Sequence, residues 1–205
     1  RVISSVEETS KYKFIPEKDL FDVEYWSLEQ AKIKKKKKLL EGNVVVVTGS
    51  TGTIGFETYR MFKSYGAEVV LLDYNLERLK EIQSKIDDLC IPCDVTNKVS
   101  VRKAFKKICE KFGGIDILVS NAGAAPGGAI GEVSDEILRK SFEINFFAHQ
   151  NCASESIRIM KQQNINGCLL FNISKQSVNP GKNFGPYGLP KSALLSLCKQ
   201  YAVDY

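Results

Sequence analysis

A chain of 205 residues, 43% hydrophobic and 26% charged, holds one globular domain with a sizeable core and room for an extension. No apolar run reaches membrane-spanning length, and the polar start lacks a signal-peptide pattern, so a cytoplasmic location is the default expectation. The net charge of +5 sits in Lys34–Lys38. Without that block the remainder is near neutral, and no basic face or interleaved aromatic accompanies it. The block reads as a solvated linker, so neither nucleic acid nor membrane is an expected partner.

Six cysteines are spread over the chain. Cys90-Ile91-Pro92-Cys93 has the spacing of a redox or metal pair. A zinc site needs two further close ligands, no second pair exists, and the one histidine, His149, falls on a predicted helix. No metal site is expected, and the thiols read as reduced core residues.

In chain order, the first ~20 residues have no clear period and read as an extended arm. Ser27 and Gln30 then form a candidate capping box for a short helix that offers Tyr25, Trp26, Leu28 and Ile33 as apolar surface. So short a helix must dock to be stable, with Trp26 as its anchor. Residues 1–41 are thus read as arm, helix and basic linker, and residues 42–205 as the main domain.

That domain opens with Val44-Val45-Val46-Val47, a β-branched run expected of a strand buried on both faces. Thr48-Gly49-Ser50-Thr51-Gly52-Thr53-Ile54-Gly55 follows, then Phe56, Tyr59, Met61, Phe62 and Tyr65 at roughly helical spacing. Strand, glycine turn and helix are the context in which such glycines bind a dinucleotide. Gly49 permits the turn, Gly52 admits a pyrophosphate, and Gly55 brings the helix close to the sheet. Thr51, Thr53 and Ile54 share the cradle, where the helix start offers unpaired N–H groups. Val69–Leu72 forms the next strand and ends at Asp73, whose carboxylate suits a ribose 2′-OH and would repel a 2′-phosphate. With no arginine or lysine at 74 or 75, NAD is the expected cofactor.

Asn75 is expected to cap a helix over Leu76, Leu79, Ile82 and Ile86. Leu89-Cys90-Ile91 is the third strand, trailed by Asp94-Val95. Thr96 or Asn97 caps a helix burying Val101, Phe105 and Ile108, which Gly113-Gly114 stops. Ile115–Val119 is the fourth strand, followed by Asn121-Ala122-Gly123 and a glycine-rich loop to Gly131. Ser134 caps a long helix carrying Ile137, Leu138, Phe142, Ile144 and Asn145. Cys168–Ile173 is the fifth strand, and a loop from Ser174 to Pro186 leads to a last helix. Alternating strands and helices predict an α/β, Rossmann-like doubly wound parallel sheet of order 3-2-1-4-5, with ligand at the carboxyl ends of its strands. Gly49, Asp73, Asp94, Asn121 and Ser174 all follow strand ends.

Tyr187 and Lys191 are four apart at the start of the last helix, hence on one face. Pro190 lacks an N–H and is tolerated in a first turn, so the helix is expected to start close to Tyr187. A neighbouring ammonium favours the phenolate of Tyr187 and makes it a usable base. Ser174 can hydrogen-bond a substrate oxygen, and Asn145 could hold a water that connects Lys191 to solvent.

These residues resemble the short-chain dehydrogenase/reductase family over about Gly42 to Tyr205, through Thr48-Gly49…Gly55, Asp94-Val95, Asn121-Ala122-Gly123, Asn145, Ser174 and Tyr187…Lys191. The resemblance implies NAD-linked interconversion of a small-molecule alcohol and a carbonyl. It casts Tyr187 as acid/base and Lys191 as its pKa modulator and a ribose contact. Ser174 would orient the substrate, and Asn145 would support a proton relay. Asp94 and Val95 would contact adenine, and Asn121 the central strand and cofactor loop. The turn glycines depart from the family's usual second, sixth and eighth positions and occupy the second, fifth and eighth, as in its epimerase-like branch; Asn-Ala-Gly argues against that branch. Family members continue with a further strand, a cofactor loop, a lid and a last strand. The chain therefore reads as a C-terminally incomplete piece of a longer, homo-oligomeric protein. Phe21–Lys32, the basic linker and Tyr187-Gly188-Leu189-Pro190-Lys191 are similar to the dehydrogenase module of bifunctional rhamnulose-1-phosphate aldolase/alcohol dehydrogenases. That likeness implies rhamnose metabolism, an upstream aldolase module and lactaldehyde as substrate. A non-catalytic dinucleotide-binding scaffold and an epimerase-type enzyme with bound NAD are the alternatives.

Overall fold

Strand β1 (Val44–Thr48) is buried along its whole length at the centre of a five-stranded sheet. The computed structural model describes Asp19 and residues 38–205. The arm, the Ser27 capping box, the Trp26 anchor and the lysines up to Lys37 lie outside the described residues.

After β1 come helix α1 (Thr53–Ser64), β2 (Glu68–Asp73), α2 (Leu76–Gln83), β3 (Leu89–Pro92), α3 (Lys98–Phe112) and β4 (Ile117–Ser120). Helix α4 (Asp135–Phe142) runs through a π-helical turn (Glu143–Phe147) into α5 (Ala148–Gln163). Strand β5 (Cys168–Phe171), a 3-10 turn (Lys175–Ser177) and α6 (Gly185–Asp204) complete the order. All pairings are parallel and the strand order is β3-β2-β1-β4-β5, as expected from the alternation of elements. Val45 lies opposite Val69 on one side and Ile117 on the other.

The period of two along the strands sends alternate valines to two cores. Val44, Val46, Val70 and Leu72 pack with Phe105 and Ile108 of α3 and Cys152 and Ile159 of α5. Val45, Val47, Val69 and Leu71 pack with Tyr59 of α1 and Leu79 of α2. Each fully buried aliphatic side chain contributes about 1.5–3 kcal/mol, so the sheet is held from both faces.

Local signals behave as their chemistry requires. Asn75 Oδ1 accepts from Arg78 N–H at 3.1 Å, and Ser134 Oγ accepts from Ile137 N–H at 3.4 Å. Between Thr96 and Asn97, Asn97 is the cap, accepting from Val99 and Ser100 N–H at 2.9 and 3.1 Å. Gly113 ends α3 with φ of 83°. Met61, Tyr65, Leu76 and Ile137, assigned to helix patterns by spacing, are instead exposed. Pro190 also departs from expectation. Helix α6 starts at Gly185, so Pro186 takes the early position and Pro190 lies buried inside the helix. It is accommodated at the cost of one intrahelical bond to the Pro186 carbonyl. Cys90, Cys93 and Cys152 are buried, whereas Cys168 is exposed and Cys109 and Cys198 are half-buried. No helix among the described residues is long and apolar enough to cross a membrane.

Candidate active site

The carboxyl ends of the strands open into a groove of about 730 Å³. It is lined by the residues of the glycine turn, Gly49, Thr51, Gly52, Thr53, Ile54 and Gly55. Asp73, Asp94 and Val95 line one flank; Asn121, Ala122, Gly123, Tyr187 and Lys191 line the other. Asn145 and Ser174 are not among its lining residues.

The turn is built by close backbone approach. Gly49 has φ of +62°, and a Cβ there would lie 2.8 Å from Ala122 Cα. A Cβ on Gly55 would collide with the Gly49 carbonyl oxygen and lie 2.8 Å from Ser50 Cα. Neither position accepts a side chain. Gly52 caps α1 with no side-chain bond, and no acidic residue occupies the first turn. The first N–H groups of α1 therefore keep their donor capacity and the positive end of the helix dipole, which suits an anion.

Asp73 is 5% exposed. Its Oδ2 accepts from Thr51 N–H at 3.0 Å and Thr51 Oγ1–H at 2.9 Å, and its Oδ1 accepts from Asn75 N–H at 3.0 Å. Three of about four acceptor positions are thus taken, which ties the turn to the end of β2. Asp94 is exposed and accepts from Thr96 N–H and Oγ1–H at 2.9 and 2.7 Å. Asn151 anchors the Val95 carbonyl at 3.1 Å. Arg78, in the first turn of α2, also lines the groove. Positions 74 and 75 carry no cation, but Arg78 stands three residues after Asn75, on the same helix face.

The opposite end is a chain of polar contacts between strand ends. Asn121 Nδ2 donates to the Thr48 and Gly49 carbonyls at 3.0 and 3.2 Å, and Asn172 Nδ2 donates to Asn121 Oδ1 at 2.8 Å. Lys191 Nζ donates to the Asn172 carbonyl at 2.9 Å and stands 3.4 Å from His149 Nε2. His149 Nδ1 lies 2.7 Å from Ser120 Oγ. Lys191 is 3% exposed, and burial pushes its ammonium down to about 8. Its Nζ lies 6.0 Å from the ring centroid of the half-buried Tyr187.

Asn145 sits in the π-helical turn with no exposure. It donates to the Ala124 carbonyl at 2.8 Å and to Ser141 Oγ at 3.0 Å, and accepts from Ala124 N–H at 3.2 Å. A Cβ on Gly123 would lie 2.9 Å from Asn145 Oδ1 and 3.7 Å from Lys191 Nζ, so both side chains close on the same short backbone segment. Ser174 Oγ accepts from Gln176 N–H at 3.3 Å and caps the 3-10 turn. Sequence reasoning passes over Asn172 and His149. Asn172 follows β5 as Asn121 follows β4, a signal present in the sequence. His149 stands four residues after Asn145, and both are buried.

Among the described residues no cluster of three His, Cys, Asp or Glu side chains could hold a metal. Arranged in this way, the groove can take an extended ligand with phosphates at α1 and a reacting group at Tyr187.

A family model for short chain dehydrogenase matches residues 43–205, and one for the second domain of aldolase class II matches residues 1–33. An uncharacterized oxidoreductase, YuxG, of Bacillus subtilis (strain 168) is 30% identical over 212 residues, covering 99% of this chain and 31% of that protein. Short chain aldehyde dehydrogenase 1 of Euphorbia lathyris is 32% identical over 173 residues, covering 82% of this chain and 60% of that protein. The chain thus spans about a third and about 60% of these two relatives. The crystal structure of an NAD+-bound xylitol dehydrogenase superposes with a TM-score of 0.77 at 27% identity, over 82% of this chain and 66% of that one. With the family model running unbroken from Asn43, just ahead of β1, to Tyr205, the chain belongs to the short-chain dehydrogenase family.

Proposed function

We propose that residues 42–205 form an NAD-linked oxidoreductase domain that interconverts an alcohol and a carbonyl, and that residues 1–41 form its junction with an upstream module. The observation that carries this reading is a buried Lys191 beside Tyr187 in the same groove as the start of α1, which has no side-chain cap. The donor set fits the cofactor. Unpaired N–H groups of Thr53, Ile54 and Gly55 would take the pyrophosphate, with Gly49, Thr51 and Gly52 forming the cradle. Asp73 would receive a ribose hydroxyl, and Asp94 and Val95 would flank adenine. Asn121, Ala122 and Gly123 would support the nicotinamide side, and Lys191 would reach its ribose. When bound, the nicotinamide supplies the hydride donor or acceptor.

The chain's own residues handle the proton. Tyr187 would give it to, or take it from, the substrate oxygen, with Lys191 Nζ 6.0 Å from its ring centroid. Ser174 would orient that oxygen once its hydroxyl leaves Gln176 N–H. Asn145 would hold the relay behind Lys191. The substrate is read as a small hydroxy-aldehyde such as lactaldehyde, or a sugar-derived polyol. The aldolase class II match on residues 1–33 supports a parent resembling rhamnulose-1-phosphate aldolase/alcohol dehydrogenases, in which an aldolase would release the aldehyde. A homo-oligomeric, cytoplasmic parent belongs to the same proposal.

Fluorescence titration with NADH and NADPH tests the cofactor. Asp73 should make NADH at least ~10-fold tighter, whereas Arg78 is the cation through which NADPH could compete. Equal binding would overturn the NAD assignment. Tyr187→Phe should lower turnover on lactaldehyde by at least ~10²-fold and leave NADH affinity within about twofold. Retained turnover would remove Tyr187 from the mechanism. NADH binding without turnover by the parent protein would identify a dinucleotide-binding module, and cofactor that co-purifies tightly would favour epimerase chemistry.

A further inference from the structure

We propose that His149 is a positioning residue of this site: held by Ser120, it accepts a hydrogen bond from Lys191 and, with the Asn172 carbonyl, fixes the ammonium against Tyr187. The inference rests on the dehydrogenase reading of Tyr187 and Lys191 and assigns what stands behind them.

The geometry comes from three elements. His149 is the second residue of α5, directly after the π-helical turn, and is 1% exposed. Ser120 ends β4 and meets Nδ1 at 2.7 Å; Lys191 projects from α6 and meets Nε2 at 3.4 Å. An ammonium has three protons and no acceptor. One proton goes to the Asn172 carbonyl at 2.9 Å. For the second to be useful, Nε2 must present its lone pair. The imidazole proton then sits on Nδ1 and is donated to Ser120 Oγ. The third proton is left for the groove side, where Tyr187 stands. A doubly protonated imidazole would place two cations 3.4 Å apart in a buried space. Burial, and then the charge of Lys191, push His149 down to about 3 and keep it neutral near physiological pH.

The groups that surround the pair are few. Lys191 is the charged group acting on His149. Tyr187 lies beyond it on α6, and Ser120, Asn172 and the Phe171 ring, 6.3 Å away, carry no charge. A lysine taken out of water needs replacement acceptors to remain an ammonium. Asn172 supplies one and His149 the other. Loss of the second weakens the ammonium that stands beside Tyr187.

The single histidine of the chain makes this directly readable. In ¹⁵N–¹H spectra of the unmodified chain, Nδ1 should carry the proton and Nε2 should show a lone-pair shift. The ring should stay neutral from pH 9 down to about 5, against an ordinary histidine value of about 6.5. The Nε2 signal should follow Lys191 as it titrates and lose that response in Lys191→Met. A proton on Nε2, ordinary titration, or an Nε2 signal indifferent to Lys191→Met would overturn the proposal, and none of these readings depends on turnover. The kinetic arm compares two variants. His149→Phe should raise the acid limb of alcohol oxidation by about one pH unit, and His149→Gln, which keeps an acceptor, should largely restore it. Identical profiles for both variants would also overturn it. The spectra on the unmodified chain decide the matter if a variant fails to fold. Absent NADH binding with the predicted tautomer present would instead defeat the dehydrogenase reading and leave the contact standing.

Discussion

Lys191 shows how far one residue's behaviour departs from its sequence neighbourhood. Its spacing from Tyr187 is legible as a helical pair, but its two bond partners lie 19 and 42 residues away. Burial lowers its pKa from 10.5 to about 8. Between those values the unfolded chain binds more protons than the folded one, so stability rises with pH across that window. Below about pH 8 the buried ammonium costs about 3 kcal/mol. Lys191→Met should therefore raise stability at pH 7 by about 1–3 kcal/mol, less than the full amount because Asn172 and His149 lose a donor. The gain should shrink as pH rises from 8 to 10.5. Urea unfolding at both ends of that range checks it, and a pH-independent gain would exclude charge burial as the cause. His149 follows the same sign: folded at about 3 against 6.5, it makes stability fall as pH drops below 6.5.

At the scale of elements, boundaries set by local chemistry were readable and those set by distant partners were not. Asn75, Asn97 and Ser134 bond to N–H groups within three residues, so their capping is a property of the segment itself. The break between α4 and α5 is different. The long helix expected from Ser134 onward is interrupted at Glu143–Phe147, where Asn145 bonds both backbone groups of Ala124, 21 residues away. A π-helical turn in mid-helix is the local form that this tertiary bond accompanies. Asn145→Ala removes both bonds to Ala124, leaves the buried Ser141 Oγ without its donor and empties a fully buried position, and should cost about 1–3 kcal/mol. Thermal unfolding reads the loss, and hydrogen exchange should show it concentrated in the 121–125 segment; uniform loosening would mean that Asn145 acts on the whole domain. Pro190 makes the same point: its tolerance inside α6 depends on packing, which propensity does not contain.

Over the whole molecule, the two cores on either side of one parallel sheet explain why strand ends, far apart in sequence, share an edge. Phe105 is fully buried between α3 and the sheet. Phe105→Ala should cost about 3–5 kcal/mol, lowering the denaturant midpoint without changing its slope. A loss under about 1 kcal/mol would mean that the core closes over the cavity. The strand order, the double burial of Val44–Val47 and the cradle from Gly49 to Gly55 follow from periodicity and glycine placement, because parallel strands buried on both faces must be continuously apolar and must turn sharply at their ends. By itself the sequence therefore determined the sheet, its order and the stretch where a glycine turn meets a helix start. Only the tertiary structure decided that Ser174 caps its own turn outside the groove, that Arg78 lines the groove, and that Asn172 and His149 stand behind Lys191. The reason is physical: spacing along a chain reports neighbours on one element, whereas hydrogen-bond partners on different elements become neighbours only when the sheet and its helices pack.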